Sequence, residues 1–132
     1  MSITIAIRDE TTSGDIRDAG TLEFESERTT VRELIRSRVY QEVKDHNTKR
    51  NQTHFGGLVQ PTDTERELNG YRFKQPRQLD WKRQFDVALK AFDENQILLL
   101  VNDRQVETLD EEIVLAKETV VSFLRLIPLV GG

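Results

Sequence analysis

The chain opens on strict alternation. Ile3, Ile5 and Ile7 are separated by Thr4 and Ala6 and followed by Arg8, the period of a strand with one buried face. The polar, glycine-containing stretch from Asp9 to Gly20 predicts a turn. Leu22 and Phe24 then alternate with Glu23 and Glu25 and predict the second strand of a hairpin. After this the period changes. Thr30, with Glu33 three residues later, has the spacing of a capping box, in which a hydroxyl and a carboxylate satisfy amides left open at a helix start. Val31, Leu34, Ile35, Val39 and Val43 fall on one helical stripe, leaving Arg32, Arg36, Lys44 and Asp45 for solvent.

A different texture follows at about 47–79. Gly56-Gly57, Pro61, Gly70 and Pro76 break up a polar stretch through which Phe55, Leu58, Val59, Leu68, Tyr71 and Phe73 are scattered. This predicts an insertion of short turns, anchored by its apolar residues, rather than a long regular element. Asp80 is the expected N-cap of a second helix at about 80–93, whose stripe is Trp81, Phe85, Ala88, Leu89 and Phe92. Ile97 to Val101 is an unbroken apolar run and predicts a buried strand. Asn102-Asp103 predicts a tight turn, because both residues tolerate the left-handed backbone region. Arg104 to Val106 returns, Leu109, Ile113 and Leu115 pack a connection, and Val120 to Ile127 forms the last strand. Strands mixed with two helices imply an α+β fold with helices on one face of a sheet.

Composition narrows the function. The 132 residues suit a single domain, 1–132, and 36% hydrophobic content implies a modest core. No run approaches a membrane span, and Met1-Ser2-Ile3-Thr4-Ile5 lacks the basic start of a signal peptide, so a cytoplasmic protein without membrane partners is expected. The absence of cysteine removes disulfides, zinc-thiolate sites and any thiol nucleophile. A formal charge of -4 gives no general attraction to nucleic acid. His46 and His54, the two histidines, are too few for a metal site without Cys or paired carboxylates, so no metal or resident cofactor is expected. Phe55-Gly56-Gly57-Leu58 lacks the lysine and context of a phosphate loop and reads as a turn. Asp110-Glu111-Glu112 reads as a solvated loop. The basic stretch of Arg72, Lys74, Arg77, Lys82 and Arg83 reads as a surface face.

The end of the chain carries the chemical signal. Leu126-Ile127-Pro128-Leu129-Val130-Gly131-Gly132 contains a proline that cannot donate to a sheet ladder, so the last strand should stop there and residues 128–132 should project as an arm. With 7 glycines in 132 residues, two at given positions have a chance of roughly 0.3%, which makes the pair worth reading chemically. Glycine has no Cβ, so two glycines can enter a narrow channel and leave an activated carbonyl open to attack.

Strand, strand, capped helix, strands and a last strand running into Gly131-Gly132 resembles the ubiquitin-like β-grasp family. In the sulfur-carrier branch of that family, MoaD- and ThiS-like, the order is a hydrophobic strand, VNG, V, an acidic connection, VxF, P, V and GG. Here Val101-Asn102, Val106, Leu109-Asp110, Val121-Ser122-Phe123, Pro128 and Gly131-Gly132 stand in that order, with Asp103 in place of the turn glycine. The segment "TTVRELI" is similar to the start of the β-grasp helix. The resemblance covers about 1–46 and 96–132. The whole chain also resembles bacterial ubiquitin-like proteins that work with activating, conjugating and metallopeptidase-like deconjugating enzymes.

The resemblance implies a mixed sheet packed on a helix; the inserted loop and second helix, at 47–95, fall outside it. It implies a protein modifier, itself no enzyme. Its Gly132 would be activated with ATP by a partner enzyme, and its Gly131-Gly132 end joined to a protein acceptor. Pro128, Leu129 and Val130 would then be the residues partner enzymes recognise. The alternatives are a sulfur carrier with a thiocarboxylate at Gly132, and a non-covalent adaptor. Leu124 and Leu126 have the opposite strand parity to Val121 and Phe123, which makes them a candidate partner face on the sheet.

Overall fold

The computed structural model describes residues 2–67 and 70–126. It is an α+β structure with a mixed sheet and two helices. The chain divides into two compact units. One comprises residues 1–34 and 91–132, and the other residues 35–90. The second unit is therefore wider than the 47–79 insertion, because most of both helices belongs to it.

The first unit is built on a five-stranded sheet. Its strands are β1 (Ile3–Thr11), β2 (Ile16–Phe24), β7 (Ile97–Val101), β8 (Arg104–Val106) and β10 (Val120–Arg125), in the order β2-β1-β10-β7-β8. β10 runs parallel to β1, with Ile7 beside Val121, and antiparallel to β7, with Phe123 beside Leu99. The residues in these registers share one face. Ile5 and Ile7, Leu22 and Phe24, Ile97, Leu99 and Val101, and Val121 and Phe123 are all buried there. Each aliphatic side chain so buried contributes about 1.5–3 kcal/mol relative to exposure, and the aromatic rings contribute comparably.

The first hairpin is longer than its sequence predicts. Asp9 to Thr11 and Ile16 to Gly20 belong to the strands, and only four residues separate β1 from β2. The register shifts between Ile7 and Arg8, where Gly20 takes φ +96° and its amide donates to Asp18 Oδ1 at 2.8 Å. This is a bulge placed where glycine can adopt the required backbone. At the other corner, Asn102 (φ +49°) and Asp103 (φ +67°) make the predicted turn between β7 and β8. The last strand ends at Arg125, before the predicted Ile127, which lies outside the described residues.

Two short strands, β3 (Arg28–Thr30) and β9 (Glu112–Val114), pair antiparallel and lead into helix α1 (Val31–Thr48). Glu112 bonds Arg28 at 2.8 Å, and that hydrogen bond, then its charge, raises the guanidinium pKa above its ordinary value. The hydroxyl half of the predicted capping box is present, with the Glu33 amide donating to Thr30 Oγ1 at 3.2 Å. Two further open amides are taken by the connection after β8. Val31 N–H donates to Glu111 O at 3.1 Å and Arg32 N–H to Leu109 O at 2.9 Å. The 109–112 segment is thus more than a solvated loop: it terminates a helix and enters a strand pair. Val31 and Leu34 are buried.

The second helix, α2 (Trp81–Asp93), ends in this unit on Asn95 (φ +60°). The Gln96 amide reaches Ala91 O at 2.8 Å and the Asn95 amide reaches Phe92 O at 3.1 Å, a Schellman closure that satisfies the helix's last carbonyls.

The second unit contains the remainder of α1, a small antiparallel sheet and most of α2. The predicted run of turns contains three strands, β4 (His54–Phe55), β5 (Thr64–Glu67) and β6 (Gly70–Phe73), in the order β4-β6-β5. Phe55, Tyr71 and Phe73 form a buried cluster joined by Leu79. Leu58 and Val59 are also buried, in keeping with their predicted anchoring of the insertion, whereas Leu68 lies outside the described residues. Polar side chains hold the loops. Glu42, paired with the buried Arg38, accepts the Leu58 amide at 3.0 Å. Asn47 grips both backbone groups of Leu79, at 2.8 and 2.9 Å. Asp80 caps α2 by accepting the Lys82 amide at 3.0 Å.

Candidate functional site

The residues proposed for activation and recognition, Pro128, Leu129, Val130, Gly131 and Gly132, lie outside the described residues. What the structure places is the strand that leads to them and the face that strand presents.

β10 occupies the middle of the five-stranded sheet, with a hydrogen-bonded neighbour on each side. Val121 and Phe123 are fully buried on one face. On the other face Leu124 is half-buried and stands beside Leu98 of β7, and Ser122 stands beside Leu100. Leu126, just past the strand, is 37% exposed, and its amide donates to Gln96 O at 3.0 Å. The parity read from the sequence therefore places Leu124 away from the buried layer, and Leu126 is open at the strand's exit.

Sequence reasoning missed two members of this face. The run Ile97 to Val101 reads as uniformly buried, but only Ile97, Leu99 and Val101 are; Leu98 and Leu100 are half-buried on the opposite side. The available signal was their register with Leu124 and Ser122, which the sequence does not show before the strands are paired. The flank toward β1 is charged, with Arg8 beside Ser122 and Glu10 beside Leu124. On the buried side, Arg125 closes the layer with an ion pair to Asp9 at 3.8 Å.

No family model, curated protein or solved structure matches the chain. The functional reading therefore rests on the residues themselves.

The histidines do separate jobs in the second unit. His46 is buried, donates from Nε2 to Arg77 O at 2.9 Å, and packs between the rings of Phe55 and Phe73, each at 5.3 Å. His54 lies on the small sheet, where Nδ1 bonds Glu67 and Glu67 also faces Arg72 at 3.9 Å. Among the described residues, no three His, Asp or Glu side chains converge to hold a metal ion. Nor is any described helix long and apolar enough to cross a membrane. A Cβ at Gly57 would collide with the Phe55 ring, so Gly57 serves packing. Of the basic stretch, Arg77 is committed to the Phe73 ring and the Thr62 carbonyl, and Arg72, Lys74, Lys82 and Arg83 are exposed. Phe92 is buried, while Trp81 and Phe85 are half-buried and remain partly at the surface.

Proposed function

We propose that this chain is a ubiquitin-like protein modifier whose first unit is a β-grasp body. The observation that carries the reading is the position of β10: the strand preceding the Gly131-Gly132 pair is central in the sheet and parallel to the first strand. A strand laddered on both sides is a rigid base, and a short segment leaving it can be delivered into a partner's active site without unfolding the body.

In this reading the Gly132 carboxylate attacks the α-phosphorus of ATP within an activating enzyme, forming an acyl-adenylate and releasing pyrophosphate. An acceptor amine or hydroxyl then displaces AMP, directly or by way of a conjugating enzyme, and loses its proton to water. A metallopeptidase-like enzyme would reverse the linkage. The chain supplies no catalytic side chain. Gly131 and Gly132 fit the channel, Pro128, Leu129 and Val130 are read by the partners, and Leu124 and Leu126 lie at the docking face.

The test is whole-protein mass spectrometry of the tagged chain in its native cells, beside variants lacking Gly132 or carrying Gly131→Val. Covalent adducts that vanish in both variants support the modifier. Replacement of a carboxylate oxygen by sulfur identifies a sulfur carrier instead. An unmodified chain that keeps bound partners identifies an adaptor.

A further inference from the structure

Charge is divided unequally between the two units. Residues 35–90 hold 12 Lys and Arg against 7 Asp and Glu, a formal +5, whereas the rest of the chain holds 7 against 16, a formal -9. The overall -4 hides a basic body. All of its cations except Arg38 are exposed.

Part of that charge surrounds aromatic surface. Arg36, Tyr40 and Lys44 follow one another at four-residue spacing on α1, so they share a face. Trp81, at the start of α2, meets them. The Arg36 guanidinium lies over the indole at 5.2 Å, and Tyr40 packs edge-on against it at 5.3 Å. Tyr40 stays 43% exposed, and Lys82, beside Trp81, is exposed. Phe85 extends the apolar centre, 6.3 Å from Trp81. Three of the nearby carboxylates hold local partners, while Asp86, one turn along α2 from Lys82, is exposed. Asp80 caps α2, Glu42 serves Arg38 and Leu58, and Asp45 accepts from Gln41 Nε2 at 3.0 Å.

We propose that the face formed by Arg36, Tyr40, Lys44, Trp81 and Lys82 docks an acidic protein segment bearing an apolar anchor. Trp, Tyr and Arg are the residues that dominate protein interfaces, and a ring centre bordered by cations calls for an apolar group bordered by carboxylates. Single-stranded nucleic acid fits less well, because base stacking needs an open ring face, and Trp81 is half-buried with Arg36 over one face of its indole. The proposal is independent of what happens at Gly132.

Trp81 is the sole tryptophan, so its fluorescence reports on this face. The full chain would be titrated with short synthetic peptides rich in Glu and Asp around one Leu or Phe. Gln/Asn versions of the same peptides and an oligothymidylate serve as comparisons, and labelled-peptide anisotropy provides a second readout. The acidic anchored peptides should bind, weaken as salt rises, and lose affinity about tenfold or more in Tyr40→Ala and in Lys44→Glu. Lys44→Glu leaves the rings in place, so it decides the matter if Tyr40→Ala proves unstable. Absence of binding at low salt, equal binding of the neutral peptides, or full affinity in both variants would overturn the proposal. Tighter binding of the oligothymidylate would reassign the face to nucleic acid.

Discussion

Asn102 holds Val120 by two hydrogen bonds. Its side-chain oxygen accepts the Val120 amide at 3.0 Å, and its own amide donates to the Val120 carbonyl at 2.9 Å. One residue thereby shapes the β7–β8 turn and ties it to the start of β10. Asn102→Gly keeps the left-handed backbone and loses only the side-chain bond, at a cost of about 1 kcal/mol. Asn102→Ala adds backbone strain and should cost about 2 kcal/mol. Urea unfolding of both variants checks the order; equal losses would mean that the conformation carries no cost.

The outer sheet face separates docking from folding. Leu126→Asp should cost about 1 kcal/mol or less, because the side chain is already 37% exposed past the end of the strand. Under the proposed function it should also weaken docking to the activating enzyme. Leu124→Asp should cost about 1–3 kcal/mol, since Leu124 is half-buried beside Leu98. Melting temperatures of the two variants test this ranking, and a large drop for Leu126→Asp would place that residue in the core.

Gly70 is required by its neighbours. A Cβ there would lie 2.6 Å from the Phe55 carbonyl oxygen and 2.7 Å from the His54 ring. The carbonyl belongs to the ladder between β4 and β6, so it cannot move freely. Gly70→Ala should destabilise the chain by about 1–3 kcal/mol. Hydrogen exchange should show the loss in the small sheet, and unchanged protection there would contradict it.

Glu42 is the sharper test of the second unit. Its side chain pairs with Arg38, which is almost wholly buried, and also accepts the Leu58 amide. Glu42→Ala leaves both without that carboxylate and should cost about 3–5 kcal/mol. The double variant Arg38→Met, Glu42→Leu removes the buried charge along with its partner and should recover part of the loss. A double variant worse than Glu42→Ala would show that the pair is worth more than apolar packing.

Burial contrast decided what the sequence made legible. The α1 stripe of Val31, Leu34, Ile35, Val39 and Val43 was readable because each buried residue alternates with wet ones at helical spacing, and Thr30 marks the start. The first half of β2, Ile16 to Thr21, was not readable. It is an exposed edge stretch, with no apolar period to announce it. The strands of the small sheet are two to four residues long, too short for alternation to register. Arg38 and His46 are charged or polar by type yet buried, because Glu42 and the Arg77 carbonyl receive them across distances the sequence cannot display. Of the candidate site, strand parity located Leu124 and Leu126, and only pairing revealed Leu98 and Leu100.

The parallel pairing of β1 with β10 also sets how the first unit bears load. A pull directed backward through Ile3 and forward through Arg125 runs along both strands in opposite senses. The rungs from Ala6–Val120 to Thr11–Arg125 are then strained together rather than peeled apart one by one. The strand that leads toward Gly132 is therefore anchored in shear, the geometry in which a hydrogen-bonded ladder yields least readily. Under the proposed function, a machine hauling on a chain joined at that end would meet a grip that resists tension better than its modest core suggests.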